Sequence, residues 1–444
     1  MNIKWTELRE LLRLAIPIIL AFIGTMTMGL VDTLVASRDS ALTVAGIGTG
    51  HAIFLTISMV ATGAILGLDP FLARAVGSND SPQQLKFLSQ GIILTLFLSL
   101  VAVPCLILIS YHFDSFGVKA DVAEVAGDYL IPSALSLPVT LLFIVGQRFW
   151  QAQHHAGPIA IMMIVSNLIN FIADWLLVSG SFGIPMFGAE GIGWATVITR
   201  IISLMMLLIW YDKPFRALFH CSFWRFSSWL VQDAEAFRSL LKKGGPVAIQ
   251  NGLELGAFSL VSLLAGTMGV NEVAAHQIVF MIASLTFNLP LGLSSAVSVR
   301  IGYHCGRAQL QTARLIGVLG VGLSAGMMML SALTFLLFPV YIAKLFTDNL
   351  GVIEIILLLF PVCAAFQIFD GIQVVLAGAF RGFGQTVIPM RANLIGHYFI
   401  GLPLGLLFSY HYNLGLQGLW IGLCFGLIST SMLLAITWKT TTKF

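Results

Sequence analysis

The chain has 444 residues, 58% of them hydrophobic and 10% charged, with a formal net charge of +3. Soluble domains carry about 25% charged residues, so this composition excludes a soluble enzyme with a large core and points to a polytopic membrane protein. The net charge itself says little, because the charged residues must sit almost entirely in loops.

In chain order, twelve apolar segments are expected to cross the membrane: 11–36, 46–70, 88–111, 127–150, 157–179, 190–211, 246–268, 273–298, 312–338, 352–378, 389–410 and 414–438. Each approaches or exceeds the roughly 20 apolar residues that a spanning helix needs. The first reads LLRLAIPIILAFIGTMTMGLVDTLVA. It is too long for a signal peptide and has no small-residue cleavage site. The longest polar break, 212–245, carries Lys213, Arg216, Arg225, Arg238, Lys242 and Lys243. It divides the chain into an N-lobe of six spans (1–211), a linker (212–245) and a C-lobe of six spans (246–444).

Basic residues set the expected orientation. With a cytoplasmic N-terminus, the outer loops receive only Arg38, Lys119 and Lys344, and the remaining basic loop residues fall inside. Both termini are therefore expected in the cytoplasm, with the protein in the cell (inner or plasma) membrane. The five cysteines, Cys105, Cys221, Cys305, Cys363 and Cys424, show neither pairing nor metal spacing.

The halves repeat. LLRLAIP (Leu11 to Pro17) returns as LLKKGGP (Leu240 to Pro246), and AGIGTGHAIF (Ala45 to Phe54) as VAAHQIVF (Val273 to Phe280). Pro132 matches Pro361, Pro158 matches Pro389, and EGIGW (Glu190 to Trp194) matches QGLW (Gln417 to Trp420). The offsets fall between 225 and 231. With six spans in each half the repeats are parallel, which is a transporter architecture with the transported species near the midplane. Some lipid flippases share it.

Ionisable groups inside spans are costly and mark function. Asp32 lies in the first span. Asn167, Asn170 and Asp174 stand at i, i+3 and i+7 on one face of the fifth span. Thr196, Thr199 and Arg200 follow in the sixth. Asp32 and Asp174 lie at similar depth, so they can meet, with Arg200 as charge partner. In the second half, Glu254 follows Gln250 by one turn, and Asp370 stands between Gln367 and Gln373. Two carboxylates with amide oxygens can hold a hard monovalent cation such as Na⁺ or carry protons. His51, His276 and His397 read as helix-packing residues. Pro17 reads equally as a conformational hinge or as packing. No phosphate loop, nucleophile triad, metal-spaced cluster or nucleic-acid module is present. No enzymatic activity and no cofactor are expected; transport would be driven by an ion gradient.

These residues resemble the MATE (multidrug and toxic compound extrusion) transporters over essentially the whole chain. The specific matches are MGLVDTLVA around Asp32, AAHQIVF from Ala274, LPLGLSSAVSVRIG from Leu289 to Gly302, FDGIQVVLAGAFRGFG around Asp370, and GLPLG at Gly401. Glu254 and Asp370 resemble the cation-site acids of the NorM-like branch. Asp32, Asn170, Asp174 and Thr196 resemble the N-lobe cluster of the DinF-like branch. The resemblance implies an all-α, V-shaped pair of six-helix bundles that exports cationic or amphipathic drug-like compounds in exchange for H⁺ or Na⁺, as a monomer in the lipid bilayer. The chain departs from the pattern at Phe366, where NorM-like proteins tend to carry tyrosine, and at Arg200. A flippase for lipid-linked precursors is the alternative. It would favour a strongly cationic cavity, whereas the intramembrane charges here are mainly acidic.

Overall fold

The computed structural model describes residues 3–38, 40–180, 185–210 and 234–441. Lys213, Arg216, Cys221 and Arg225 lie outside the described residues. Twelve helices, some of them interrupted, are long and apolar enough to cross a membrane, and no strand occurs among the described residues. An all-helical chain suits a bilayer, where each backbone polar group must find its partner within its own segment. In the first half the helices are α1 (Ile3–Ala36), α2 (Ala41–Ile65), α3 (Asp69–Gly77), α4 (Ser81–Ser110), α5 (Ala120–Ala152), α6 (Gly157–Ser179) and α7 (Gly188–Trp210). In the second they are α8 (Ala234–Met268), α9 (Val270–Gly306), α10 (Leu310–Leu337), the short α11 (Pro339–Lys344), α12 (Leu350–Gly382), α13 (Val387–Leu394), α14 (Leu402–Leu406) and α15 (Gly415–Thr441).

Several helices start before the apolar segments that predict them, because polar caps lie outside the apolar run. Ser40 accepts the Thr43 N–H at the head of α2, and Asp80 accepts the Gln83 N–H at the head of α4, both at 3.0 Å. Each satisfies a backbone donor that the first helical turn leaves orphaned. Gly180, at φ 65°, ends α6 in the left-handed conformation that glycine tolerates.

Two spans are irregular for the same reason. Pro70 has no N–H for the Leu66 carbonyl; the Asp69 N–H takes it instead, and Leu66–Leu68 tightens to a 3₁₀ turn between α2 and α3. Pro403 likewise cannot donate to Phe399, and the eleventh span widens into π-helix at Ile395–Gly401; a second π-helical stretch, Leu407–His411, follows an intervening α-helical turn.

The chain forms two compact units. One, the N-unit, is Leu20–Ala248; the other, the C-unit, is Met1–Ile19 with Ile249–Phe444. Helices α1 and α8 therefore each belong to both units. The N-unit core contains Leu68, Leu88, Leu130, Phe149 and Trp150, together with Ala236 and Leu240 from the start of α8. The C-unit core contains Phe335, Phe360, Phe366 and Trp420.

A glycine in each unit seats the borrowed helix. In the N-unit, a Cβ on Gly67 would lie 2.5 Å from the Gly244 nitrogen, so α8 crosses α2 in backbone contact. In the C-unit, a Cβ on Gly292 would lie 2.8 Å from the Ile19 Cα. Both glycines sit in the triplet Leu-Gly-Leu, at 66–68 and 291–293, so this seat is itself part of the repeat. The C-unit adds a buried ion pair: Arg300 Nη2 bonds Glu7 Oε2, and His304 Nε2 lies 3.4 Å from the same oxygen.

Candidate functional site

The N-unit gathers polar side chains from five helices. Asp32 comes from α1, Asn170 and Asp174 from α6, Thr196, Thr199 and Arg200 from α7, Tyr129 from α5 and His51 from α2. Asp32 is 5% exposed; Asn170 and Asp174 are fully buried. The i, i+3, i+7 spacing on α6 does place Asn170 and Asp174 inward. Asn167, which shares that face, instead donates to the Gly24 carbonyl at 2.9 Å and ties α6 to α1.

Asp32 adjoins Asp174 and Asn170 and interacts electrostatically with Arg200. Arg200 acts through its field; none of its contacts among the described residues closes to a 4.0 Å ion pair. Asp32 Oδ1, both Asp174 oxygens, both amide atoms of Asn170 and the Thr199 hydroxyl have no hydrogen-bond partner among the described residues. A buried neutral orphan costs about 1–3 kcal/mol, and a charged one more. A cluster with this many unsatisfied acceptors suits a small cation or proton. The Thr196 hydroxyl donates to its own Ile192 carbonyl at 3.2 Å, which leaves its lone pairs as acceptors. His51 and Tyr129 border the acids. Their Nδ1 and Oη atoms are 3.1 Å apart, and the Tyr129 ring is 1% exposed.

The C-unit brings Glu254 of α8 to Asp370 of α12, near enough for their charges to interact. Gln373 Nε2 donates to Glu254 Oε1 at 3.4 Å, and Asn393 Nδ2 donates to Glu254 Oε2 at 3.3 Å. The Gln373 and Asn393 carbonyl oxygens have no hydrogen-bond partner among the described residues. Those oxygens and the two carboxylates form a set suited to a hard ion. Gln367 does not join it: it exchanges hydrogen bonds with Thr286 on α9, at 2.6 and 2.9 Å.

The sequence reading missed Asn393, Tyr398 and Tyr129. The RANLIGHYF stretch carries a signal, since asparagine and histidine in an apolar span need partners. Nothing in it names those partners. His276 behaves as a packing residue: it accepts from Trp420 Nε1 at Nδ1 (3.2 Å), and its Nε2 lies 2.7 Å from Ser262 Oγ. Because Trp Nε1 only donates, the neutral ring carries its proton on Nε2 and gives it to Ser262.

A family model described as MatE matches residues 17–176 and 246–407. The chain is 31% identical over 443 residues to multidrug resistance protein PmpM of Pseudomonas aeruginosa, covering 97% of this chain and 91% of that one. It is 30% identical over 441 residues to the probable multidrug resistance protein NorM of Pseudomonas putida, covering 97% and 93%. Among solved structures, an outward-facing multidrug resistance MATE family transporter of the MOP superfamily superposes with a TM-score of 0.89 at 18% identity, over 98% of this chain and 96% of that one. The eukaryotic MATE transporter AtDTX14 gives 0.86 at 20% identity, over 100% and 98%. These two likenesses establish a shared fold.

Proposed function

We propose, for a chain that belongs to the MatE family, a multi-pass membrane transporter that exports cationic or amphipathic drug-like compounds in exchange for H⁺ or Na⁺. The relatives named for multidrug resistance support the substrate class. The observation that carries the coupling is the presence of two buried acid clusters, one in each unit, with acceptor atoms that no donor among the described residues satisfies. A cation or proton stabilises such a cluster. Its binding shifts the conformational equilibrium by as much as its affinity differs between states, so substrate and ion can drive each other.

In this reading Asp32, Asp174, Asn170 and Thr196 form the N-lobe coupling site, with Arg200 setting its charge. Glu254 and Asp370 form the C-lobe site. The protein works as a monomer in the cell membrane with both termini cytoplasmic, and it needs no cofactor. Pro17 is a hinge for the change of state. It lies two residues before the point where α1 passes from the C-unit to the N-unit, and its missing N–H weakens the helix there.

The test is efflux of a fluorescent cation from proteoliposomes, with a pH gradient and a Na⁺ gradient imposed separately. We expect at least one gradient to drive efflux. We expect Asp32→Asn or Glu254→Gln to abolish that response, according to which lobe carries the driving ion. Efflux indifferent to both gradients would refute the antiport reading.

A further inference from the structure

The π-helical turn in the eleventh span has a consequence for the C-lobe acids. In an α-helix, at about 100° per residue, side chains five apart point about 140° away from each other. Asn393 and Tyr398 are five apart, yet both reach α8. Asn393 Nδ2 donates to Glu254 Oε2 at 3.3 Å, and the Tyr398 hydroxyl donates to the Leu253 carbonyl at 3.0 Å. The segment Ile395–Gly401 is π-helical, and its i→i+5 pattern turns positions five apart toward one face. The facing helix is shaped to receive them: a Cβ on Gly256 would lie 2.6 Å from the Tyr398 oxygen. The His397 ring adds an Nδ1 contact to the Asn393 carbonyl at 3.3 Å.

We propose that Asn393 is a positioning residue of the Glu254–Asp370 site, gripping Glu254 by one oxygen while Gln373 grips the other, so that Asp370 is the acid that exchanges the driving cation. The proposal rests on the coupled-transport reading above. Three observations carry it. Glu254 receives an amide donor on each oxygen, which fixes the carboxyl plane. Asn393 is fully buried, and its Oδ1 has no hydrogen-bond partner among the described residues, so the one side-chain bond it makes among them is the bond to Glu254. Among the described residues Asp370 receives no comparable pair of donors; Gln373 is the amide that adjoins both acids. An acid that receives two donors is held in one place; its neighbour without such a pair is free to take up and release a cation.

Two measurements test this, and the first does not depend on transport. The carboxyl stretch that Glu254→Gln removes is followed by infrared spectroscopy through a pH titration of the purified protein. In Asn393→Ala the midpoint of that band is expected to move to higher pH, by about tenfold in proton affinity, because a donor to the charged form is lost. Asn393→Asp has nearly the same volume but puts an acceptor where the donor stood, and should shift the midpoint further the same way. A role in packing alone predicts the reverse order, with Asp tolerated and Ala harmful. In the second measurement, the driving-ion concentration for half-maximal efflux is expected to rise at least tenfold in both variants, with the saturated rate within about twofold of wild type. Ser429→Ala, at a half-buried position of α15 whose hydroxyl bonds only its own helix at Phe425 among the described residues, is the unaffected control. An unmoved Glu254 band in Asn393→Asp overturns the proposal. A moved band in a protein that ignores both gradients leaves the clamp standing and removes the coupled-transport reading instead.

Discussion

Pro17 and Pro246 each lie two residues before the point where their helix leaves one compact unit for the other: α1 crosses after Ile19, and α8 crosses after Ala248. The two prolines are equivalent in the repeat, and so are the glycines that seat the borrowed halves, Gly67 and Gly292. Gly67 meets α8 two residues before Pro246 and Gly292 meets α1 two residues after Pro17, so each lead helix is held at a glycine crossing close to its proline and is weakened at the proline itself.

A hinge role separates stability from turnover. Proline in a helix interior costs about 3 kcal/mol, so Pro17→Ala and Pro246→Ala should fold with an unchanged or raised melting temperature. Their turnover in proteoliposomes should fall at least tenfold. A variant that transports at the wild-type rate would show that the kink has no part in the cycle.

The glycine seats predict a position-specific cost. Gly244 packs against the Ala64 carbonyl, whereas a Cβ on its neighbour Gly245 would meet nothing within 4 Å. Gly244→Val should destabilise the purified protein by about 1–3 kcal/mol through overpacking. Gly245→Ala should be neutral or slightly stabilising. Equal melting temperatures for the two variants would argue against a tight crossing.

Asp174 should trade stability for function. It lies beside Asp32 and has no donor among the described residues, and a carboxyl so buried is costly to keep there. Asp174→Asn should therefore raise the melting temperature at pH 8 while lowering transport. The gain should shrink at pH 5, because the unfolded chain then gains less from ionising this carboxyl. A gain that grows toward acid pH would mean that Asp174 is stabilised in its buried place by a partner of its own.

The equivalent histidines should differ in kind. His276→Phe leaves the buried Trp420 N–H without its acceptor, which costs about 1–3 kcal/mol, and thermal denaturation should register the loss. His51→Phe removes the partner of the Tyr129 hydroxyl beside the Asp32 cluster. It should alter the dependence of transport on the driving ion more than it alters stability. The reverse pattern, read from melting curves and efflux titrations of both variants, would exchange their roles.

Much of this was legible in the residues. Uninterrupted apolar runs of spanning length allow few structures besides helices, and the spacing of Asn170 and Asp174 put both on one face of α6. The same logic misled for Gln367, which stands one turn from Asp370 as Gln373 does but turns to Thr286 instead. Helical period gives direction around one axis only; which neighbouring helix occupies that direction is a matter of packing. The π-turn was hidden for a related reason. Pro403 advertises a disturbed helix, but a kink, a break and a widened turn all answer a missing N–H.

The amino-acid sequence by itself determined the membrane class, the twelve apolar spans, the twofold repeat of six spans and the identity of the acids, because burial energy and periodicity act within a segment of twenty or thirty residues. Only the tertiary structure decided that the first halves of α1 and α8 pack with the opposite repeat. It alone joined Asn393 to Glu254, which lies 139 positions away in the chain. Those outcomes depend on close backbone crossings at single glycines and on a helix that changes pitch before a proline, and neither leaves a periodic trace.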